Sequence, residues 1–497
     1  MDPLVRGLEV ILQPTMLLWI MIGDIVGIFV GALPGLTATM GLALFLPITI
    51  QLDSLTGISL MLGLYFGAVT GASIPAILFG IPGNPNAIAT VFDGLPMARK
   101  GQAGVALGGA VIASFLGGLI STAALLAASP ALARFSLLFG PAEYFALAAA
   151  SLTIIASVSG ASLLKGLVMG ASGVLLATVG IDAMTGAQRF TFGNPFAANG
   201  IGLVPVLIGM FGITQALEDA ARPGGLGQIV TQQLGRLFPS LAQLRAMWRI
   251  ILESSWIGTF VGLLPGAGAS VAVVLAYERA KQLAPRPEEF GSGRLEGVVA
   301  PEVANNACIG GGLIPTLTLA LPGESAAVPI LAALIIHGVT PGPLLFSFQP
   351  HFIYAVVFAM IVANVTTCAF QLGGIRLFVK ALSVPPAMLI PTVIVLSVLG
   401  AYALNGWMFD AAVAVAAGIA GFVLKRAGYP LIPLILGMVL GGMMESEFRR
   451  AMIITGGDLS VFATRPLAAA LLAAGAISLV RQLRAQWRAT DSAQKGA

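Results

Sequence analysis

The chain has 497 residues, of which 57% are hydrophobic and 9% charged, with a formal net charge of +4 and a mean hydropathy of +0.96. A soluble domain carries roughly 25% charged residues, so this chain lacks the polar surface water demands, and its solvent over most of its length is lipid. Two His without an HExxH pattern and two Cys (Cys308, Cys368) without CxxC spacing argue against a metal-centred enzyme, and basic residues confined to loops and to Arg481, Arg484, Arg488 and Lys495 follow the positive-inside pattern rather than a nucleic-acid surface, which puts the C-terminus in the cytoplasm.

A spanning helix needs about 20 mostly apolar residues. Such runs lie near 14–33, 36–50, 55–79, 103–128, 141–158, 161–180 and 200–217. After a polar stretch they resume near 250–264, 269–284, 298–320, 325–338, 350–373, 388–404, 408–424, 429–444 and 464–481. The first run begins without a cleavable signal and stays in the protein. Runs 36–50, 269–284 and 325–338 are too short to span alone, and each follows a Pro-Gly pair, so they read as halves of broken helices or re-entrant hairpins. The stretch 221–249, with Arg222, Arg236, Arg245 and Arg249 among Leu, Phe and Trp248, reads as an interfacial amphipathic linker. The charged stretch 278–296 reads as a solvated loop, and 485–497 as an irregular cytoplasmic tail.

The chain repeats itself. GIFVGALPGLTAT, from Gly27 to Thr39, returns as GTFVGLLPGAGAS, from Gly258 to Ser270. Gly71-Ala-Ser-Ile-Pro75 with Ile81-Pro82-Gly83-Asn84 returns as Gly311-Gly-Leu-Ile-Pro315 with Leu321-Pro322-Gly323-Glu324. Two ordered pairs divide the chain into related halves, 1–220 and 250–484. The fold expected is an all-α polytopic membrane protein of two repeated, inverted halves with broken helices.

Interrupted helices at matching positions of two halves point to a transporter site. In lipid every backbone polar group needs a partner. A Pro-Gly break therefore survives only inside protein or against a water-filled cavity. The helix that restarts after a break offers free N–H groups and a positive dipole end, suited to an anion. The candidate anion-binding residues are Pro34, Gly35, Thr37 and Thr39 at the first break, with Pro265, Gly266, Ala269 and Ser270 as their counterparts. Ser73, Pro82, Gly83, Asn84 and Asn86 at the second break match Pro322, Gly323 and Ser325. Thr37, Thr39 and Ser270 serve equally as helix caps, and Gly-x-x-x-Gly also packs helices. Glu302, Asn305, Asn306 and Glu324 are polar groups in apolar runs, expensive there unless paired or ligating a cation, and are the candidate ion-coupling residues. Glu302 and Asn306 share a helix face and complete a cation site with carbonyls near Gly266, unless they only join helices. Asp93, Arg99 and Lys100 read as topology-setting charges at a membrane surface. His337 reads as a packed histidine. No organic cofactor is expected, only Na+ or H+ as coupling ion.

The Gly-x-x-x-Gly-x-Leu-Pro-Gly segments resemble a known family, as do Asp93-Gly-Leu-Pro-Met-Ala-Arg-Lys-Gly101, Pro301-Glu-Val-Ala-Asn-Asn306 and His337-Gly-Val-Thr-Pro-Gly-Pro343. They look like the large membrane subunit of the tripartite tricarboxylate transporter family (TctA-type). The resemblance implies an inverted-repeat carrier in the bacterial inner membrane. It implies a small four-helix membrane subunit and a periplasmic solute-binding protein that delivers a carboxylate, with an ion gradient rather than ATP as the drive. Small or hydroxyl residues are frequent after the second break in the family, so Glu324 is a departure and sets citrate specificity aside. The rival readings are an ion channel, which needs a pore ring or filter, and a membrane-embedded enzyme, which needs a clustered acid–base or metal constellation.

Overall fold

The computed structural model describes residues 2–33, 35–158, 162–182, 184–221, 236–264, 268–381 and 386–495. Among them, nine helices are long and apolar enough to cross a membrane, from Pro14–Ala32 to Pro466–Arg484. The helices that follow the breaks are short, as the sequence predicts: Ala38–Thr49, Gly268–Leu283 and Ala327–Ile336. At 1.5 Å per residue, even the 16 residues of Gly268–Leu283 fall short of a roughly 30 Å hydrocarbon core.

The chain sorts into two compact units, Met1–Ala133 with Gln215–Gly400, and Arg134–Thr214 with Ala401–Ala497. Each sequence half gives its leading part to the first unit and its trailing part to the second. Repeat and compact unit are therefore different partitions of the chain.

In the first unit, Pro14–Ala32 packs along Ser54–Gly71, and Trp248–Leu263 along Glu296–Leu319. Both contacts are made by glycines. A Cβ on Gly27 would lie 2.4 Å from the carbonyl oxygen of Leu64, and one on Gly31 2.2 Å from that of Ala68. In the other pair a Cβ on Gly258 would lie 2.3 Å from the carbonyl oxygen of Ala304. The Gly-x-x-x-Gly motif thus does the close packing expected of small residues between membrane helices. Ser54–Gly71 and the adjoining Ser73–Phe79 are buried almost throughout.

In the second unit, Leu163–Ala177 packs on Leu431–Ile454 through Gly173 and Gly437, and Met408–Arg426 packs on the π-helical turn Ile208–Ile213. Thr214 Oγ1 donates to the carbonyl of Gly418 at 3.0 Å, tying a hydroxyl into that turn. Phe145, Phe448 and Phe462 form a ring cluster beside the Glu143–Arg465 ion pair at 3.0 Å.

Several sequence expectations need correction. A two-stranded antiparallel hairpin, Gly180–Ile181 with Gln188–Arg189, interrupts the helical fold. It is clamped by Asp182–Arg449 (2.7 Å) and Arg189–Glu445 (2.5 Å), contacts between distant segments that no local pattern reveals. The expected irregular tail at 485–497 is helical to Lys495, because Pro466–Lys495 continues without a breaker. The solvated loop begins later than 278, since Gly268–Leu283 carries Glu278, Arg279 and Lys281. Of the expected linker 221–249, residues 222–235 lie outside the described residues. Its described end forms Leu241–Ala246, started by a Ser240–Gln243 capping box, and Trp248 already belongs to the next helix.

Candidate functional site

The repeat persists in backbone geometry at both kinds of break. Pro14–Ala32 ends at Leu33 with φ −84° and ψ 114°, and Trp248–Leu263 ends at Leu264 with φ −89° and ψ 111°. Extended residues there stop both helices before the Pro-Gly pair. Pro34, Pro265 and Gly266 lie outside the described residues. Gly35, at φ +95°, turns the chain into the next helix, and Thr37 caps that helix by accepting the Met40 N–H at 3.2 Å. The second breaks match as closely. Gly80 (φ 68°) and Ala320 (φ 56°) are both left-handed caps. Ile81 N–H then reaches the Pro75 carbonyl at 3.4 Å, and Leu321 N–H the Pro315 carbonyl at 3.3 Å.

Within each half the two breaks meet. A Cβ on Gly83 would lie 2.3 Å from the Gly31 carbonyl oxygen and 2.8 Å from Ala72 Cα. A Cβ on Gly323 would lie 2.2 Å from the Gly262 carbonyl oxygen and 2.6 Å from Gly312 Cα. Only glycine admits so close an approach. The halves also meet each other. Ala38–Thr49 packs on Ala327–Ile336, and Gly268–Leu283 packs on the turn Pro85–Ala87. Thr39 Oγ1 lies 3.3 Å from Ser325 Oγ, and Ala89 joins the apolar cluster of Ala269, Ala272 and Val273. All four break segments thus gather in one compact unit.

Around them lie the polar residues singled out in the sequence. Asn84 is 4% exposed, and its Oδ1 caps the Pro85–Ala87 turn by accepting the Asn86 N–H at 2.8 Å. Pro82 and Ser270 are half-buried and Pro322 is buried. Ser73 points back into its own helix, donating to the Thr70 carbonyl at 2.7 Å, so its hydroxyl is spent on structure. Glu324 is 4% exposed, and its Cγ lies 3.3 Å from where a Cβ on Gly312 would sit.

Glu302 is fully buried. Its carboxylate accepts from Thr90 Oγ1 at 2.6 Å and Ser114 Oγ at 3.2 Å. No ion pair among the described residues includes Glu302 or Glu324. Asn306, on the same helix face, donates to the Glu302 carbonyl at 3.2 Å and accepts from Thr70 Oγ1 at 3.0 Å. Asn305, one residue earlier, has both amide atoms buried without a partner among the described residues, as has the Thr259 hydroxyl. Buried amides of that kind normally hold a water, an ion or a neighbour.

Two acidic residues escaped the sequence reading. Asp24 is fully buried in Pro14–Ala32 and accepts from Thr366 Oγ1 and, at 2.8 Å, from Thr367 Oγ1. A lone acid in a 19-residue apolar helix was the available signal. Asp219 has an oxygen 2.5 Å from where a Cβ on Gly35 would sit, and it accepts from Gln215 Nε2 at 3.1 Å. Asp93, expected at a membrane surface, is instead buried. It accepts from the backbone N–H groups of Gly291, Gly293 and Arg294 and from the Tyr277 hydroxyl, tying down the loop before Glu296–Leu319. Those donors satisfy the charge that the sequence assigned to water. His337 is half-buried against Gly57, and Cys308 and Cys368 are free thiols.

Comparison with known proteins gives a family. The profile of the tripartite tricarboxylate transporter TctA family matches residues 17–436. An uncharacterized 52.8 kDa protein in the TAR-I ttuC' 3'region of Agrobacterium vitis is 39% identical over 478 residues, covering 95% of this chain and 94% of that protein. An uncharacterized protein in the TAR-II ttuC' 3'region of the same organism is 40% identical over 226 residues, covering 46% of this chain and 93% of that protein. No solved structure matches.

Proposed function

The chain belongs to the tripartite tricarboxylate transporter TctA family, and from that premise we propose that it is the membrane subunit that carries a small carboxylate into the bacterial cell, coupled to Na+ or H+. It is a multi-pass membrane protein, a subunit of a tripartite transport system. In our reading the halves are inverted in the membrane, a periplasmic solute-binding protein delivers the solute, and a small four-helix membrane subunit completes the complex.

The observation that carries this reading is the gathering of the four break segments. In this reading, helix ends gathered in one compact unit supply N–H groups for a carboxylate and carbonyls for a cation. Thr39, Ser325, Asn84 and Ser270 supply neutral polar groups beside them. Glu302, with Asn305 and Asn306, forms the coupling group: a buried carboxylate held by two hydroxyls, next to a buried amide without a hydrogen bond among the described residues.

The membrane potential opposes anion uptake by about 2.3 kcal/mol per charge per 100 mV, so coupled cations are needed. Uptake of radiolabelled carboxylates into vesicles bearing the complete system, under imposed ion gradients, tests the proposal. Collapse of one cation gradient abolishes uptake if the reading is right. Uptake that persists after every cation gradient is dissipated rejects it.

A further inference from the structure

Asp24 is a fully buried carboxyl that lies outside the break segments. It is the eleventh of the 19 residues of Pro14–Ala32, so at 1.5 Å per residue it stands about 12–15 Å from each end of that helix. No ion pair among the described residues includes it. An unpaired acid at that depth is costly, and such acids mark ion and proton pathways.

Its two hydroxyl neighbours differ. Thr367 Oγ1 lies 2.8 Å from Asp24 Oδ1. Thr366 Oγ1 touches Asp24 Oδ2 and also lies 2.7 Å from the Val362 carbonyl and 3.3 Å from that of Ala363. A hydroxyl has one proton to give and lone pairs to receive another. With Asp24 ionised, Thr366 gives its proton to Oδ2 and Thr367 gives its own to Oδ1. With Asp24 protonated, the acid O–H donates to Thr366, Thr366 turns its proton to the Val362 carbonyl, and Thr367 still donates to Oδ1. Both states are hydrogen-bonded throughout, and they differ by the rotation of one hydroxyl. The site can therefore gain and lose a proton without repacking.

The surroundings add little competing charge. Of the helices packed on Pro14–Ala32, Ser54–Gly71 offers only Tyr65 as a titratable group, and Ala38–Thr49 and Ser73–Phe79 offer none. Arg6 and Glu9 of Pro3–Ile11 are exposed. On Pro350–Ala381, Cys368 follows Thr367 directly, and His351 and Tyr354 precede Thr366 by 12 positions or more. Arg376, exposed, and Lys380 lie nine and 13 positions beyond Thr367.

One turn beyond Thr367, on the same helix face, Gln371 is fully buried with its Oε1 unpartnered among the described residues. Its Nε2 donates to the Thr70 carbonyl at 3.4 Å. Thr70 Oγ1 donates to Asn306 Oδ1 at 3.0 Å, and Asn306 donates to the Glu302 carbonyl at 3.2 Å. A line of polar side chains thus leads from Asp24 to the coupling group within one compact unit.

We propose that Asp24 is a second coupling site, separate from Glu302, and that its ligand is a proton, taken from water on one side of the membrane and released on the other in each transport cycle. The proposal rests on the carrier reading above. Binding forms the Oδ2–H bond and turns the carboxylate into the neutral acid, and release reverses it, so no other reactant is needed.

Infrared difference spectroscopy of the purified full-length protein, between acid and alkaline pH, reads the site without any solute. Wild type is expected to show a carboxylic-acid C=O band that appears on acidification and is lost in Asp24→Asn. The band is expected to shift in Thr367→Val, which removes the hydroxyl from that C=O, and this shift assigns it even where Asp24→Asn does not fold. In vesicles bearing the complete system, with labelled citrate, succinate and lactate as probes, an inside-alkaline pH gradient is expected to drive wild-type uptake. Asp24→Asn, an amide that mimics the protonated acid, is expected to lower that drive at least about tenfold. The proposal is overturned if neither variant alters a carboxylic-acid band, or if the Asp24 band is the same at every pH. It is also overturned if a pH gradient does not drive wild-type uptake, or drives Asp24→Asn equally. A titrating Asp24 band in a protein that takes up none of the probes under any gradient supports the proton site and overturns the carrier reading instead.

Discussion

Thr39 and Ser325 stand 286 positions apart in the chain and touch through their hydroxyl oxygens at 3.3 Å. One follows the first break of the leading half and the other the second break of the trailing half. The two side chains face each other, so a cysteine pair there is expected to reach disulfide geometry with a small adjustment. In a background where Cys308 and Cys368 are replaced, Thr39→Cys with Ser325→Cys should cross-link on mild oxidation, detected as a linked peptide by mass spectrometry. Reduction should restore uptake. No cross-link in folded protein would mean the break segments do not gather.

Glycine holds the breaks together at two matching points. A methyl at position 83 or 323 would enter the Gly31 or Gly262 carbonyl, 2.3 Å or 2.2 Å away. Because the obstacle is backbone, relief requires the helix to move. Gly83→Ala and Gly323→Ala should each destabilise by about 1–3 kcal/mol, the usual range for overpacking, and both should lower uptake. Gly442→Ala, with nothing within 4 Å, serves as the control. Equal thermal unfolding of all three variants would refute the close approach.

The apolar runs, the breaks and the repeat were legible in the sequence because each is local. A span is a run of apolar residues, and a break is a Pro-Gly pair within one. Even the matched caps at Gly80 and Ala320 follow from the repeat, although Ala320 hides there as an ordinary alanine. The partners of the buried acids were not legible. Glu302 takes Thr90 and Ser114 from helices 212 and 188 positions away, and Asp24 takes Thr367 from 343 positions away. Nothing in a helical run says which distant hydroxyl will face it. Asp93 misled for the same reason, since its donors are three backbone N–H groups of a remote loop and the hydroxyl of Tyr277, 184 positions away.

Removing Asp93 should therefore release the 291–294 loop. Its carboxylate holds three backbone N–H groups and the Tyr277 hydroxyl, with the Gly293 and Arg294 contacts at 2.7 Å. Hydrogen bonds to a charged group contribute about 1.5–3 kcal/mol each, and partial compensation by water leaves an expected loss of about 3 kcal/mol for Asp93→Ala. Limited proteolysis should then cut near Arg294 at a protease concentration that spares wild type. Wild-type resistance in the variant would show that the loop is held by its ion pairs alone.

The hairpin clamp should be pH-dependent. The Thr185 hydroxyl, followed by Arg449 and the Met184 N–H, holds the Asp182 carboxyl below the ordinary carboxylate range. A depressed folded-state pKa contributes stability above the unfolded value and loses it as pH falls through the folded value. Wild type should thus be more stable than Asp182→Asn at pH 7, and the gap should close only in strong acid, below the usual carboxylate range. Unfolding midpoints of the two proteins across pH measure this. A gap constant from pH 7 to strong acid would assign the clamp to packing rather than to charge.

Glu302 gives the sharpest separation of transport from coupling. Glu302→Gln keeps the shape and can still accept from one of the two hydroxyls while its amide donates to the other, since a hydroxyl both donates and accepts. The charge alone is removed, and the variant should fold. Without a carboxylate to hold the coupling cation, uptake driven by an ion gradient should fall at least about tenfold. Exchange of labelled for unlabelled solute, which needs no net cation movement, should persist. Thr90→Val deletes the donor at 2.6 Å but leaves the carboxylate, so gradient-driven uptake should fall less, with its cation dependence shifted to higher concentration. If Glu302→Gln loses exchange and gradient-driven uptake in equal measure, the residue serves solute binding or structure. If it loses neither, coupling resides in another buried carboxylate, and Asp24, held by Thr366 and Thr367, is the next group to test by the same pair of assays.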